Sequence, residues 1–209
     1  PTQEDLDPVR FITNHSSGKM GYSVARAARN LGANVTLISG PVNLRKPVGI
    51  EVINVRTATE MFEVFDSLKS QYDILIKSAA VSDYGVESVA NQKLKKSGDR
   101  LTLEFVMNQD ILAYAGQHKL PHQVVCGFAM ETENLVEFAT KKLINKKADM
   151  IVANQLTDEG AGFNKDTNLV TFITESNCEK LDLMSKEAVG YEILSRLMTM
   201  LMEKRGEVC

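Results

Sequence analysis

The sequence predicts an α/β fold, a Rossmann-like three-layer arrangement with a mostly parallel sheet. Short β-rich runs alternate with helical patterns along most of the chain, and the strand runs are apolar throughout instead of alternating with polar residues. Runs of that kind fit strands covered on both faces, and strand–helix alternation is how a parallel sheet obtains that cover. Gly- and Lys-rich segments interrupt the pattern. In open α/β sheets the loops beyond the carboxyl ends of strands hold the ligand, so these interruptions are the first places to look for chemistry.

In order, a polar segment with Ser16 and Ser17 as candidate caps runs into an Ala-rich helix over Tyr22–Leu31. Strands over Val35–Ser39 and Glu51–Val55 lead to a helix over Thr59–Ser70 and a strand over Asp73–Ser78. After a polar loop come a strand over Leu101–Val106, a helix near Asp110–His118 and a strand over Val124–Phe128. A helix over Glu133–Asn145 and a strand over Asp149–Ala153 follow, then a strand over Asn168–Ile173 and a long final helix, Lys186–Glu203. Met184, Leu194, Leu197, Met198 and Leu201 give that helix region an apolar stripe that reads as core packing. Ala90–Arg100 and Thr157–Thr167 are loops by composition.

The 209 residues suffice for one good core, and the expectation is a single domain over residues 1–209. A net charge of −3, with basic residues interspersed among acids, is no footprint for nucleic acid or an anionic membrane. No apolar run approaches the roughly 20 residues needed to span a bilayer. Three widely spaced cysteines, Cys126, Cys178 and Cys209, suit reduced thiols in a cytoplasmic protein, not a disulfide framework or zinc site. His15, His118 and His122 have no metal-ligand spacing, so no protein-built metal cage is expected.

Several segments carry candidate chemistry. Arg10–Gly21, RFITNHSSGKMG, leads into a helix whose unpaired N–H groups and dipole favour an anion. It is not a Walker A loop: the first Gly is absent and Met20 stands where Ser or Thr would bind magnesium. A capped helix with a turn is the plain alternative, but Arg10 and Asn14 add a charged fork and an amide. Ser78–Tyr84, SAAVSDY, puts small residues at a strand end, where a ligand can approach the backbone, and Asp83 offers a carboxylate to a hydroxyl, a base edge or a metal. A short-chain dehydrogenase has a similar turn. Here no GxGxxG follows a first strand, and Tyr84 is followed four residues later by Ser88, not Lys, so that oxidoreductase reading fails. Lys93, Lys95 and Lys96 form a basic run that is either a solvated face or a loop that closes over phosphates. Lys142 and Lys146, four apart, share one helix face.

These segments, in this order, resemble the phosphopantothenate–cysteine ligase (phosphopantothenoylcysteine synthetase) family. The similarity is carried by PTQEDLDPVRFITNHSSGKMG, AAVSDY, KLKKSGDRLTLEF, NQDIL, VVCGFAMET, ANQL and GFNKDTN, and covers essentially the whole chain. It implies that CTP and 4′-phosphopantothenate, with Mg2+, give an acyl-cytidylate and pyrophosphate, and that cysteine then displaces CMP. Bacterial members use CTP and animal relatives favour ATP. The resemblance places Asp83, Lys93, Gln109, Asp110, Ile111, Leu112, Phe128, Lys142 and Lys146 at the nucleotide, the Gln109–Leu112 segment largely through backbone. The family often has Pro where Gln109 stands. Arg10, Asn14, Ser16, Gly18, Ala79 and Ala80 fall at the phosphopantothenate, with Asn14 and Lys93 in catalytic roles. The resemblance further implies a homodimer, a strand before Pro1 that this sequence lacks, and in many bacteria fusion to a flavin-dependent decarboxylase. The alternative is a non-catalytic nucleotide-binding α/β module, which would not need Asn14, Lys93 and Asp83 together.

Overall fold

A computed structural model describes residues 1–96, 98–155 and 165–207. The central sheet has strand order β12-β11-β9-β8-β5, where β5 is Ile74–Lys77, β8 Val124–Glu131, β9 Met150–Gln155, β11 Thr171–Ile173 and β12 Cys178–Lys180. β5, β8 and β9 are mutually parallel; β11 and β12 add an antiparallel edge. A second parallel pair is formed by β3 (Thr36–Ser39) and β4 (Glu51–Asn54).

Side-chain alternation along the central strands divides the core in two. Val124 and Cys126 of β8 and Met150 and Val152 of β9 face α1 (Lys19–Asn30) and α5 (Lys186–Arg205), meeting Val24, Val189, Ile193 and Leu197. Val125, Ala129, Ile151 and Ala153 face the other way. There they meet α2 (Ala58–Leu68), α3 (Ile111–His118) and α4 (Leu135–Lys146) through Met61, Phe65, Leu112, Ala115, Ala139 and Leu143. Sheet strands apolar on both faces are therefore covered by helices on both faces, as the sequence pattern requires. Cys126 is fully buried, and burial pushes its thiol far above the ordinary range.

The helix ends are specified locally. Thr57 caps α2 by accepting from the Glu60 N–H at 3.1 Å, and Ser185 caps α5 by accepting from the Ala188 N–H at 3.1 Å. Gly206, at φ +70°, closes α5 in a left-handed conformation that favours glycine. The cap of α1 departs from expectation: it is Gly18, with φ +76° and no side-chain cap, while the Ser16 hydroxyl accepts from the Gly18 N–H at 3.4 Å. A Cβ at Gly18 would lie 2.7 Å from Val42, so close packing as well as backbone angle requires glycine there.

Other expectations shift. The strand expected over Leu101–Val106 is β7, Phe105–Met107, paired antiparallel with β6, Tyr84–Val86, which the sequence pattern did not reveal. An N-terminal ribbon, β1 (Gln3–Asp5) with β2 (Phe11–Thr13), was likewise unforeseen. Asn168–Ile173 divides into β10 (Thr167–Asn168), which pairs with β13 (Met184–Ser185), and β11. In α5 the core-facing stripe is Val189, Ile193, Leu194 and Leu197, whereas Met198 is 45% exposed. Most of the loop expected over Thr157–Thr167 lies outside the described residues.

Candidate active site

The candidate site is built around the segment Lys77–Asp83, which leaves the carboxyl end of β5. On one side it meets the N-terminal segment. The Asn14 amide donates to the Ala80 carbonyl at 3.0 Å, and the Thr2 N–H donates to the same oxygen at 3.3 Å. Thr2 also accepts from the Ser82 N–H through its hydroxyl, and its carbonyl accepts from the Thr13 hydroxyl at 2.6 Å. The start of α1 closes on the same strand end: a Cβ at Gly21 would lie 2.8 Å from the Ser78 hydroxyl. Asn14, Ala80 and the amino end of α1 with Ser16 and Gly18 are thus brought together. Helix geometry points the first N–H groups of α1 out of the helix, where an anion fits.

Arg10 does not offer an open fork. Its guanidinium bonds Asp7 and donates to the Leu94 carbonyl at 2.9 Å, while the Leu94 N–H donates to Asp7 at 3.0 Å. The Asp7 side chain has no solvent exposure. The Arg10 hydrogen bond, helped by the Val9, Leu94 and Arg10 N–H groups, holds its carboxyl far below the usual range, against the opposing effect of burial. Asp7 and Arg10 therefore tether the basic loop at Leu94, while Lys93, Lys95 and Lys96 on either side are exposed. Lys93 makes no hydrogen bond or ion pair among the described residues.

On the other side, α3 and α4 deliver charge. Gly127 of β8 makes this possible: a Cβ there would lie 2.5 Å from Leu112 and 2.9 Å from Ile151, so its absence lets α3 lie flat on the strand. Asp110 is the cap of α3. One carboxylate oxygen accepts from the Ala113 N–H at 2.9 Å, and the other pairs with Lys146 of α4 at 2.7 Å. Burial would raise the Asp110 pKa, but these contacts outweigh it and the net shift is downward. Gly116 allows the end of α4 to sit against α3, since a Cβ there would lie 1.9 Å from the Lys146 carbonyl oxygen. Ile111 and Leu112 have buried side chains, leaving only their backbone for a ligand. Gln109 is exposed, and the neighbouring Asn108 ties this segment to the first side by donating to the Ser82 carbonyl at 2.9 Å. Asp83, exposed, receives the Asn108 N–H at its carbonyl, 2.8 Å away. Phe128 packs on the α1–α5 face of β8, across the sheet from Lys142 and Lys146; Ala79 packs on the α2–α4 face.

Three residues that sequence reasoning did not single out organise this geometry: Asp7, Asn108 and Lys77. The first two act through long-range contacts that leave no local signal. Lys77 had one: Leu75 and Ala79, two positions either side, both face α2–α4, so strand alternation puts Lys77 on the face that α3 and α4 cover. Burial and the Lys142 charge push its ammonium down to about 8, against the pull of Asp110 and Asp83, with Lys146 adding to the lowering. Burial also lowers Lys142, partly offset by Glu131 and Asp110. Among the described residues no group of three or more His, Cys, Asp or Glu side chains could hold a metal, and no helix is long and apolar enough to cross a membrane.

The family model described as DNA/pantothenate metabolism flavoprotein C-terminal domain matches residues 1–201. The coenzyme A biosynthesis bifunctional protein CoaBC of Vibrio parahaemolyticus is 46% identical over 199 residues, 94% of this chain and 50% of the relative. That of Bacillus subtilis is 47% identical over 199 residues, 94% of this chain and 49% of the relative. The chain thus spans about half the length of the curated relatives it matches. A crystal structure of the C-terminal domain of CoaBC superposes with a TM-score of 0.83 at 40% identity, covering 97% of this chain and 92% of that one. A Cab2 mutant in complex with phosphopantothenate-cysteine shares the fold, with a TM-score of 0.77 at 16% identity, covering 99% of this chain and 85% of that one.

Proposed function

The chain belongs to the DNA/pantothenate metabolism flavoprotein C-terminal domain family, and from that premise we propose that it is a CTP-dependent phosphopantothenate–cysteine ligase of coenzyme A biosynthesis. The observation that carries the reading is the segment Lys77–Asp83: one short stretch borders both the Asn14 and α1 anion site and the lysines of α4. A reaction joining a phosphorylated acid to a nucleotide needs two anionic substrates in adjacent places.

In the first step the phosphopantothenate carboxylate attacks the α-phosphorus of CTP, and the bond to pyrophosphate breaks. In the second the cysteine amine attacks the acyl carbon, CMP leaves with the electron pair, and the amine proton passes to solvent. The protein's work is positioning and charge neutralisation. Lys142 and Lys146 supply positive charge for the nucleotide, and Lys93 supplies more from the tethered loop. Asn14, oriented by Ala80, sets a neutral amide beside the acyl phosphate, while the amino end of α1 with Ser16 and Gly18 takes the substrate phosphate. Magnesium enters with the triphosphate as part of the substrate.

The protein works in the cytoplasm, as the half of a bifunctional protein or alone, and as a homodimer. The dimer is supported by the apolar residues that the two ribbons leave exposed, Phe11, Ile12, Phe105, Val106 and Met107. Pyrophosphate release, measured with CTP and with ATP, with and without phosphopantothenate, tests the reading. Release should need CTP and phosphopantothenate together, with cysteine required for turnover; release indifferent to phosphopantothenate overturns it.

A further inference from the structure

Lys77 lies outside the residues to which the family resemblance points, yet it is the most perturbed cation of the site. It closes the apolar strand β5, on the face of the sheet where Leu75 and Ala79 pack toward α2–α4. Its ammonium has no hydrogen-bond or ion-pair partner among the described residues, and neither does that of Lys142. The charges that face it are Lys142 and Lys146 from α4, Asp110 from the start of α3, and Asp83 from the loop after β5; Glu131, at the end of β8, faces Lys142. Neither nearby carboxylate neutralises it. Asp110 is committed to Ala113 and Lys146, and Asp83 is exposed. The facing side of β8 offers only Gly127, paired in register with Lys77. Lys77 and Lys142, both only partly exposed and on the same face of the sheet, thus lack a partner among the described residues, an arrangement that an arriving polyanion relieves.

We infer that Lys77 is a further anion-recognising residue of the nucleotide site: with Lys142 it receives the anionic oxygens of a nucleotide polyphosphate. Because burial holds the Lys77 ammonium low, binding there should also be coupled to proton uptake. This rests on the reading that the site takes a nucleotide. The sign follows from the charges. A bound anion favours charged Lys77 and raises its pKa above about 8. Above that value the free protein is largely neutral at Lys77 and the complex is protonated, so a proton enters on binding and affinity falls as pH rises.

The test is calorimetric titration of the whole chain with CTP, ATP and inorganic tripolyphosphate, at about pH 8.5, where the two states differ most, in two buffers of unlike ionisation enthalpy. The wild type should take up a fraction of a proton with each anion it binds. Lys77→Met, apolar and suited to the strand, should lose that uptake and bind about tenfold more weakly. Lys77→Arg keeps the charge at every working pH and should retain affinity without proton uptake. Lys141→Gln controls for loss of one surface charge, since Lys141 sits in an exposed pair with Glu137, and should behave as wild type. Wild-type affinity and proton uptake in Lys77→Met overturn the inference, as does failure of the wild type to bind any of the three anions. Tripolyphosphate needs no catalysis. A chain that binds it through Lys77 but releases no pyrophosphate from CTP and phosphopantothenate keeps this inference and loses the ligase reading.

Discussion

On the amino-terminal flank of Lys77–Asp83, polar groups are largely matched. Ala80 accepts from Asn14 and Thr2, Thr2 also binds Ser82 and Thr13, and Asp7 accepts from the Val9, Arg10 and Leu94 N–H groups and from the Arg10 side chain. On the α3–α4 flank the balance is different. Of three lysines only Lys146 has an ion-pair partner among the described residues, and Lys77 and Lys142 are shifted downward by burial. Matched polar groups fix geometry and resist rearrangement, whereas unmatched buried charge waits for a counter-ion. The first flank is built to hold groups in place, the second to attract an anion. Substitutions on the two flanks should therefore fail differently, one in turnover and the other in affinity.

The largest effect is expected at the loop that Asp7 and Arg10 tether. Lys93→Gln removes an ammonium next to the tether point and should lower kcat/KM for CTP by about 30- to 1000-fold, equivalent to roughly 2–4 kcal/mol. Lys95→Gln and Lys96→Gln should lose much less, and three equal small losses would return the basic run to a solvated face. Next comes Gly116→Ala. Its Cβ would lie 1.9 Å from the Lys146 carbonyl oxygen, so α4 must move, at a cost of about 2–3 kcal/mol. The urea midpoint should drop and nucleotide affinity fall with it. An unchanged midpoint would show that α3 and α4 do not need this approach.

A smaller effect concerns acid. The Asp110 pKa is lowered in the folded protein, so the stability it contributes is present above the unfolded carboxylate pKa and is lost as pH falls through the lower folded one. Asp110→Asn keeps a good helix cap but not the pair with Lys146, which is partly exposed and worth at most about 1 kcal/mol. Stability measured against pH should be flatter in the variant across that acidic window, and parallel curves would remove Asp110 from the account. Smallest is the effect of Asp7→Asn on the loop. Cleavage after Lys93 or Lys95 should speed up several-fold without nucleotide, and CTP with magnesium should slow it in the wild type; equal rates in both proteins would mean that the tether does not hold the loop.

The sequence made the sheet legible where burial left a mark. Val124–Phe128 and Asp149–Ala153 are apolar because helices cover both faces, and both became central strands. The two ribbons were not legible for the same reason in reverse. Phe11–Thr13 and Phe105–Met107 are exposed along their length and carry no burial pattern, and only three residues of the apolar stretch after Arg100 find partners in Tyr84–Val86. At the site, the helical spacing of Lys142 and Lys146 was visible, but the spacing says nothing of Asp110, which pairs with one and not the other. Lys77 was hidden because a lysine closing an apolar run reads as the end of a strand. Its significance depends on α3 and α4 lying over that face, which Gly127 and Gly116 permit. Asp7 and Asn108 act across 87 and 26 residues of sequence, at Leu94 and Ser82, beyond the reach of any local pattern.

The contrast between a flank that holds and a flank that attracts is tested most directly by Asn14→Asp, with pyrophosphate and CMP followed in the same single turnover and CTP affinity measured alongside. A carboxylate beside the acyl phosphate repels the charge that grows as cysteine attacks, but lies on the flank away from the lysines of α4. The account predicts near-normal CTP binding and pyrophosphate release, with CMP release slowed by about 100-fold or more. Wild-type CMP release, or a matching loss of CTP affinity, would contradict it.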